Sequence, residues 1–108
     1  MFVPLGKIVV VSGGTPVRIT SNLSDPSAVL KVHSLVIQWV SSNSDDMYVS
    51  LSSVDNRATL SECLGILNSS TPVWGAGIAY EVNGINAADL YLDAASDGDA
   101  AIVSAVVS

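Results

Sequence analysis

Leu5-Gly6-Lys7-Ile8-Val9-Val10-Val11-Ser12-Gly13-Gly14-Thr15-Pro16-Val17-Arg18-Ile19-Thr20 carries the pattern from which the fold is read: two runs rich in valine and isoleucine, separated by a Ser-Gly-Gly-Thr-Pro cluster. Branched Cβ atoms restrict χ1 and pack well on a pleated surface, so each run favours extended backbone. Gly13 and Gly14 accept positive φ without steric penalty and Pro16 fixes its own φ, so the cluster favours a reversal of the chain. Leu5 to Val11 and Val17 to Thr20 are therefore expected to be strands, joined by a hairpin or by a sharp strand-to-strand corner.

Further along, Lys31 to Val40 places His33, Leu35, Ile37 and Trp39 on one side of an extended chain and Val32, Val36 and Val40 on the other. Apolar residues on both sides predict a central strand covered on both faces. After the polar cluster Ser41 to Asp46, Met47, Val49 and Leu51 alternate with Tyr48, Ser50 and Ser52, as in a strand with one buried and one wet face. Between Val54 and Asn68 the period changes. Leu60, Cys63, Leu64 and Leu67 fall at i, i+3, i+4 and i+7, and Thr59 with Glu62 has capping-box spacing. A short helix over 59–67 and an irregular crossover between sheets both fit. Strands are expected again at Gly77 to Val82, Asp89 to Leu92 and Ala101 to Val107, the last apolar on both sides and so expected inside a sheet or under a neighbour. Short strands and frequent turns define an all-β chain. The expected architecture is a two-sheet sandwich, jelly-roll-like or an immunoglobulin-like barrel. The tyrosine corner and paired cysteines of immunoglobulin domains are missing, which favours the jelly roll.

The 108 residues, 49% hydrophobic and 13% charged, suit one β-sandwich domain spanning 1–108. Residues 1–5, with Phe2 and Val3, read either as an arm that packs on another subunit or as a frayed end. Surface scaling gives roughly 5,700 Å² exposed after folding against roughly 16,000 Å² before, enough burial without disulfides. Ten acidic against four basic residues leave a net charge of -6, which repels phosphate backbones and anionic bilayers, so no nucleic acid and no membrane is expected as partner. Met1 to Lys7 lacks the parts of a signal peptide, and no aliphatic run approaches the roughly 20 residues of a membrane span, so a soluble product of a cytoplasm is expected. A surface poor in charge and rich in Ser, Val and Ala suits subunit contacts, so a homo-oligomer is expected.

One histidine and one cysteine exclude a disulfide framework and a zinc quartet. His33 reads as a strand-start residue half in solvent and Cys63 as a small buried hydrophobe. Trp74-Gly75-Ala76-Gly77 lacks the serine of a nucleophile elbow, and nothing fixes the separation of Glu62 and Glu81 that a glycosidase pair requires. No catalytic residue, cofactor or metal is expected, and the chain is not expected to be an enzyme. Asp93, Asp97 and Asp99 with Gly98 offer oxygen ligands for calcium but lack EF-hand spacing; a solvated turn between strands is the expectation. Trp74, between Pro72 and Gly75, reads as a loop indole either displayed for a sugar or a partner's pocket or folded back over a sheet end, whereas Trp39 reads as core. Phe2, Val3, Trp74 and Tyr80 are the candidate interface residues.

Ile8 to Thr20, followed by Val36-Ile37-Gln38 and Met47-Tyr48-Val49-Ser50, resembles the opening of small virion structural proteins of tailed bacteriophages. Those tend to run V-x-x-G-T-P-V-R, then an apolar strand ending near Ile-Gln, then Tyr-Val-Gly, where this chain has Ser50 in place of the glycine. Ala88-Asp89-Leu90-Tyr91-Leu92-Asp93 and Asp97-Gly98-Asp99 to Val103 are similar to the family's ending, while Glu62 to Gly77 departs from it. The resemblance implies a capsid decoration or cement protein made in the host cytoplasm and carried on the virion. It would bind the outer surface of the major capsid protein lattice, often as a trimer at three-fold positions, and stabilise it. Two rivals stay open: a receptor- or carbohydrate-binding module of a tail fibre or spike, stacking sugars on Trp74, Tyr48 or Tyr91, and a head-tail or tail-associated ring component.

Overall fold

The computed structural model describes residues 1–55, 57–77 and 85–107. Its strands are β1 (Phe2–Val9), β2 (Val17–Arg18), β3 (Lys31–Val32), β4 (Ser34–Trp39), β5 (Met47–Ser50), β6 (Cys63–Leu67), β7 (Val73–Gly77), β8 (Ile85–Asn86), β9 (Tyr91–Ala94) and β10 (Ala100–Val106), with a 3₁₀ turn at Ala87–Asp89. Sheet A runs β1-β10-β4-β7 and sheet B runs β2-β9-β5-β6, while β3 and β8 form a small separate ladder. Every pairing is antiparallel.

The pairs β1 with β10, β2 with β9, β3 with β8, β4 with β7 and β5 with β6 enclose one another in turn, so the chain is a single long hairpin. Rolling that hairpin brings β10 against β4 and β9 against β5 and splits it into two four-stranded sheets. A hairpin rolled in this way is a jelly roll. The Ser12 to Pro16 cluster accordingly makes a corner, because β1 lies in sheet A and β2 in sheet B. Leu35, Ile37 and Val103 of sheet A meet Met47, Val49 and Leu92 of sheet B in one buried cluster. Leu5 and Ile8 both reach it although they are three residues apart. A bulge between Pro4 and Gly6, with Gly6 at φ 85, adds the residue that keeps both on the inner face.

Several expectations are corrected. The helix over 59–67 is instead the edge strand β6, and Leu64, which a helix would bury, is 44% exposed. Its Gly65 is a poor helix former, and the open edge of β5 supplies a ladder of backbone partners that a short helix lacks. β4 lies inside its sheet but is covered on one face only, with Leu35 and Ile37 buried and Val36 exposed. The alternation after Met47 fails at Ser50, where a register shift ends the strand: Leu51 turns to solvent while Ser50 and Ser52 are buried. Their hydroxyls take over local backbone partners, Ser50 Oγ accepting from Ser52 N at 3.4 Å and Ser52 Oγ from Val54 N at 3.2 Å. Residues 2–5 form the first half of β1 rather than an arm, paired from Phe2 opposite Val106. β10 runs inside sheet A between β1 and β4, as its composition requires. The strand expected over Gly77 to Val82 is described only as far as Gly77, the end of β7; Tyr80 and Glu81 lie outside the described residues. The molecule exposes 5648 Å², close to the roughly 5,700 Å² that scaling gives for a compact chain of this mass.

Candidate functional site

Asp93, Asp97 and Asp99 lie where three corners of the roll meet, and each carboxylate accepts hydrogen bonds from backbone N–H groups that the turns leave without ladder partners. Asp97 Oδ1 accepts from Gly13 N at 2.7 Å and Asp93 Oδ1 from Gly14 N at 2.8 Å, which fastens the β1–β2 corner. Asp99 is buried, and its two oxygens accept from Ser44 N at 2.9 Å and Asp45 N at 3.0 Å, which fastens the β4–β5 corner. Asn43 completes that junction by exchanging two 2.8 Å bonds with the backbone of Ala100. The acidic turn is thus a solvated turn between strands, with Asp97 and Gly98 exposed, and it also ties loops together through the buried Asp93 and Asp99. Among the described residues no group of three or more His, Cys, Asp or Glu is placed to hold a metal ion.

Asp93 points away from the core, since its neighbours Leu92 and Ala94 point into it, yet it is buried because the segment after β5 folds across the outside of sheet B. Arg57 of that segment donates to Ala94 O at 3.3 Å and grips Asp55 through Nε and Nη2 at 3.0 and 3.1 Å. Asp93 Oδ2 has no hydrogen-bond partner and sits 4.0 Å from Arg57 Nε. The side-chain hydrogen bond from Arg57, then its backbone N–H, hold the Asp55 carboxyl below the usual carboxylate range. A lowered folded-state pKa stabilises above the unfolded value and is lost as pH falls through the folded one. Arg57→Gln, which removes the guanidinium but keeps the backbone N–H, is accordingly expected to raise the Asp55 NMR titration part of the way toward the ordinary range, and the stability gap between the two proteins at neutral pH is expected to narrow below about pH 4. Burial, and after it the carboxylates of Asp46 and Asp45, push the Tyr48 hydroxyl above the usual phenol range, so it stays neutral at physiological pH.

The aromatic candidates are mostly engaged within the fold. Trp74 lies on β7, not in a loop; its indole packs on the core and its Nε1 donates to Leu64 O at 3.3 Å, closing the seam between the edge strands β7 and β6. Trp39 is half-buried against the core, with Nε1 donating to Asp45 O at 3.0 Å. The Tyr91 ring carries the Arg18 guanidinium over one face at 5.1 Å, and the two line a shallow hollow of about 370 Å³ with Leu51 and Asp89. His33 is exposed between β3 and β4, and Cys63 is half-buried with Sγ 3.3 Å from Gly65 O. Val3 packs toward the core, whereas Phe2 stands out from the sheet, 82% exposed.

Like the edge strand β6 of sheet B, where Leu64 and Ile66 are 44 and 37% exposed, the outer face of sheet A shows aliphatic side chains to solvent. The pairing register sets its outward residues in rows across the strands: Lys7, Ile102, Gln38 and Val73; then Pro4, Ser104, Val36 and Gly75; then Phe2, Val106, Ser34 and Gly77. Ile102, Val36 and Val73 are 47, 43 and 55% exposed. No acidic residue stands on any of the four strands, and Lys7 is their one charge. At the end of the face near Val73 a groove of about 460 Å³ opens beside Ile102, Gln38, Trp39 and Pro72. Ile102, Val36 and Val73 were not among the candidate residues. The signal for them lies in the chain all the same, because the four strands of one sheet exclude every acid from a strongly acidic protein.

The fold and this face define the class: a jelly-roll β-sandwich whose sheet A turns an acid-free, partly aliphatic outer face to solvent. Comparison with protein-family models, with curated proteins and with solved structures finds no match to this chain.

Proposed function

We propose that the protein is a non-enzymatic structural protein of a virion, a capsid decoration or cement protein that uses the bare face of sheet A to bind the outer surface of the capsid lattice. Jelly rolls serve capsid proteins, lectins and cupins alike, so topology does not choose among them. The observation that supports this reading is the outer face of sheet A: an acid-free surface with exposed Ile102, Val36 and Val73, on a chain of net charge -6. Depletion of charge with exposed aliphatic and aromatic groups suits a protein-docking surface. With that face down, the exposed carboxylates of the loops, such as Asp25, Asp55 and Asp97, stay in water and keep the particle dispersed. Many copies on a symmetric shell, as trimers at three-fold positions in the form the sequence resemblance implies, would hold by multivalency even where each contact is weak.

The test is to add purified protein to capsids prepared without it, from the virus that encodes it, and to image and heat them. Binding at regular lattice positions with a higher temperature of capsid rupture is expected, and Ile102→Glu is expected to abolish both. Indifference to capsids, together with glycan binding lost on Tyr91→Ala, would replace this reading with the carbohydrate-binding module.

A further inference from the structure

We propose that in the free protein the outer face of sheet A pairs with the same face of a second copy about a two-fold axis, each Phe2 filling the groove beside Ile102 of the other. The inference rests on the reading that this face is a docking surface, and it names the occupant before any shell is met. The Ser104–Val36 pair is the middle of the face, Phe2 stands at one corner, and the groove lies at the other end of the face, between Ile102, Gln38 and Pro72. A knob and a hollow placed symmetrically about a centre are self-complementary. A two-fold through the Ser104–Val36 pair seats both Phe2 rings at once, so residue i meets j and j meets i, as a closed isologous contact requires.

Charge selects the same arrangement. Two chains of net charge -6 repel one another wherever carboxylates meet, and the four strands of sheet A carry none. Pairing through the β1 edge is disfavoured instead, because Pro4 lacks a ladder N–H, a bulge follows it, and Lys7 adds a charge. Four strands about 4.8 Å apart and six residues long cover about 400 Å², and each Phe2 adds about 150 Å², which places the dimer near the lower limit for specific interfaces. The expected association is therefore reversible, with a dissociation constant on the order of micromolar to tens of micromolar.

Sedimentation equilibrium from about 1 to about 200 µM brackets that range. A monomer–dimer equilibrium is expected, weakened at least tenfold by Phe2→Ala and abolished by Val36→Glu, while Ile66→Glu on sheet B leaves it unchanged. Because the axis brings the two copies of position 36 together, mixing Val36→Glu protein with Val36→Lys protein is expected to restore a heterodimer, a result that misfolding of either variant cannot produce. A monomer at the highest concentration, or a dimer indifferent to Val36→Glu, overturns the pairing. A stable trimer also overturns it and leaves the decoration reading standing, whereas a dimer that ignores capsids supports the pairing and overturns the decoration reading.

Discussion

Asp99→Ala is expected to lower the stability of the fold by about 3 kcal/mol, the cost of removing a buried carboxylate that satisfies two backbone donors. Ser44 N and Asp45 N both point at this one side chain, from a corner that carries the chain from sheet A to sheet B. Truncation takes from both N–H groups the acceptor they share at a part-buried junction. In a domain of this size the loss corresponds to a melting point lower by ~12–20 °C. Asp99→Asn is the informative companion. An amide keeps one acceptor but turns an NH2 toward the other donor, so about half the loss or more is expected. Urea denaturation measures both, and hydrogen exchange at Ser44 and Asp45 identifies the mechanism, since those amides lose protection selectively. A change below about 0.5 kcal/mol would mean that the carboxylate does not hold the corner, and the account of the acidic turn as a junction would fall with it.

That account also shows where reading the chain succeeds and where it stops. The strands were legible because β-branched runs and Gly or Pro clusters are local signals: Leu5 to Val11, Lys31 to Val40 and Ala101 to Val107 all contain strands near the expected places. The two-sheet sandwich followed from their number and shortness. Coverage was not legible, because it depends on the neighbouring element rather than on the strand itself. Val36 looks as buried in sequence as Ile37, yet it is 43% exposed on the outer face of sheet A. Ser50 and Ser52 err the other way, since a segment folded across sheet B buries residues whose chemistry suggests solvent. The acidic turn is a turn between strands, as expected, but the ties made by Asp93 and Asp99 are not legible, because acceptors for a distant loop's N–H groups leave no periodic trace and Asp99 meets Ser44 across 55 positions. The interface candidates show the same division. Phe2, beside the chain end, stands out from the sheet as composition suggests, while Val3, the next residue, turns inward by the alternation of β1.

Trp74 is the clearest case of a side chain whose role is set by a residue elsewhere, and Gly65→Ala is expected to expose it at a cost of about 2–3 kcal/mol. A Cβ built on Gly65 would lie 2.4 Å from Trp74 Cδ1 and 2.8 Å from Nε1, well inside van der Waals contact. Gly65 has no positive φ to protect, so the steric conflict with the indole is the whole of the argument. The ring is large and wedged between the two edge strands, so it must swing out, and it then loses both its packing on the core and its bond to Leu64 O. With β7 and β6 each an edge of its own sheet, no other tryptophan spans this seam, Trp39 being held by Asp45 at a corner. The substitution should therefore shift the fluorescence of Trp74 to the red in a Trp39→Phe background and loosen the two edges. A smaller side chain at position 74 removes the conflict, so Gly65→Ala in a Trp74→Leu protein is expected to cost less than about 1 kcal/mol. Such non-additivity is the signature of two residues in direct contact. Equal costs in both backgrounds would show that Gly65 is required by the strand itself and not by the indole packed against it.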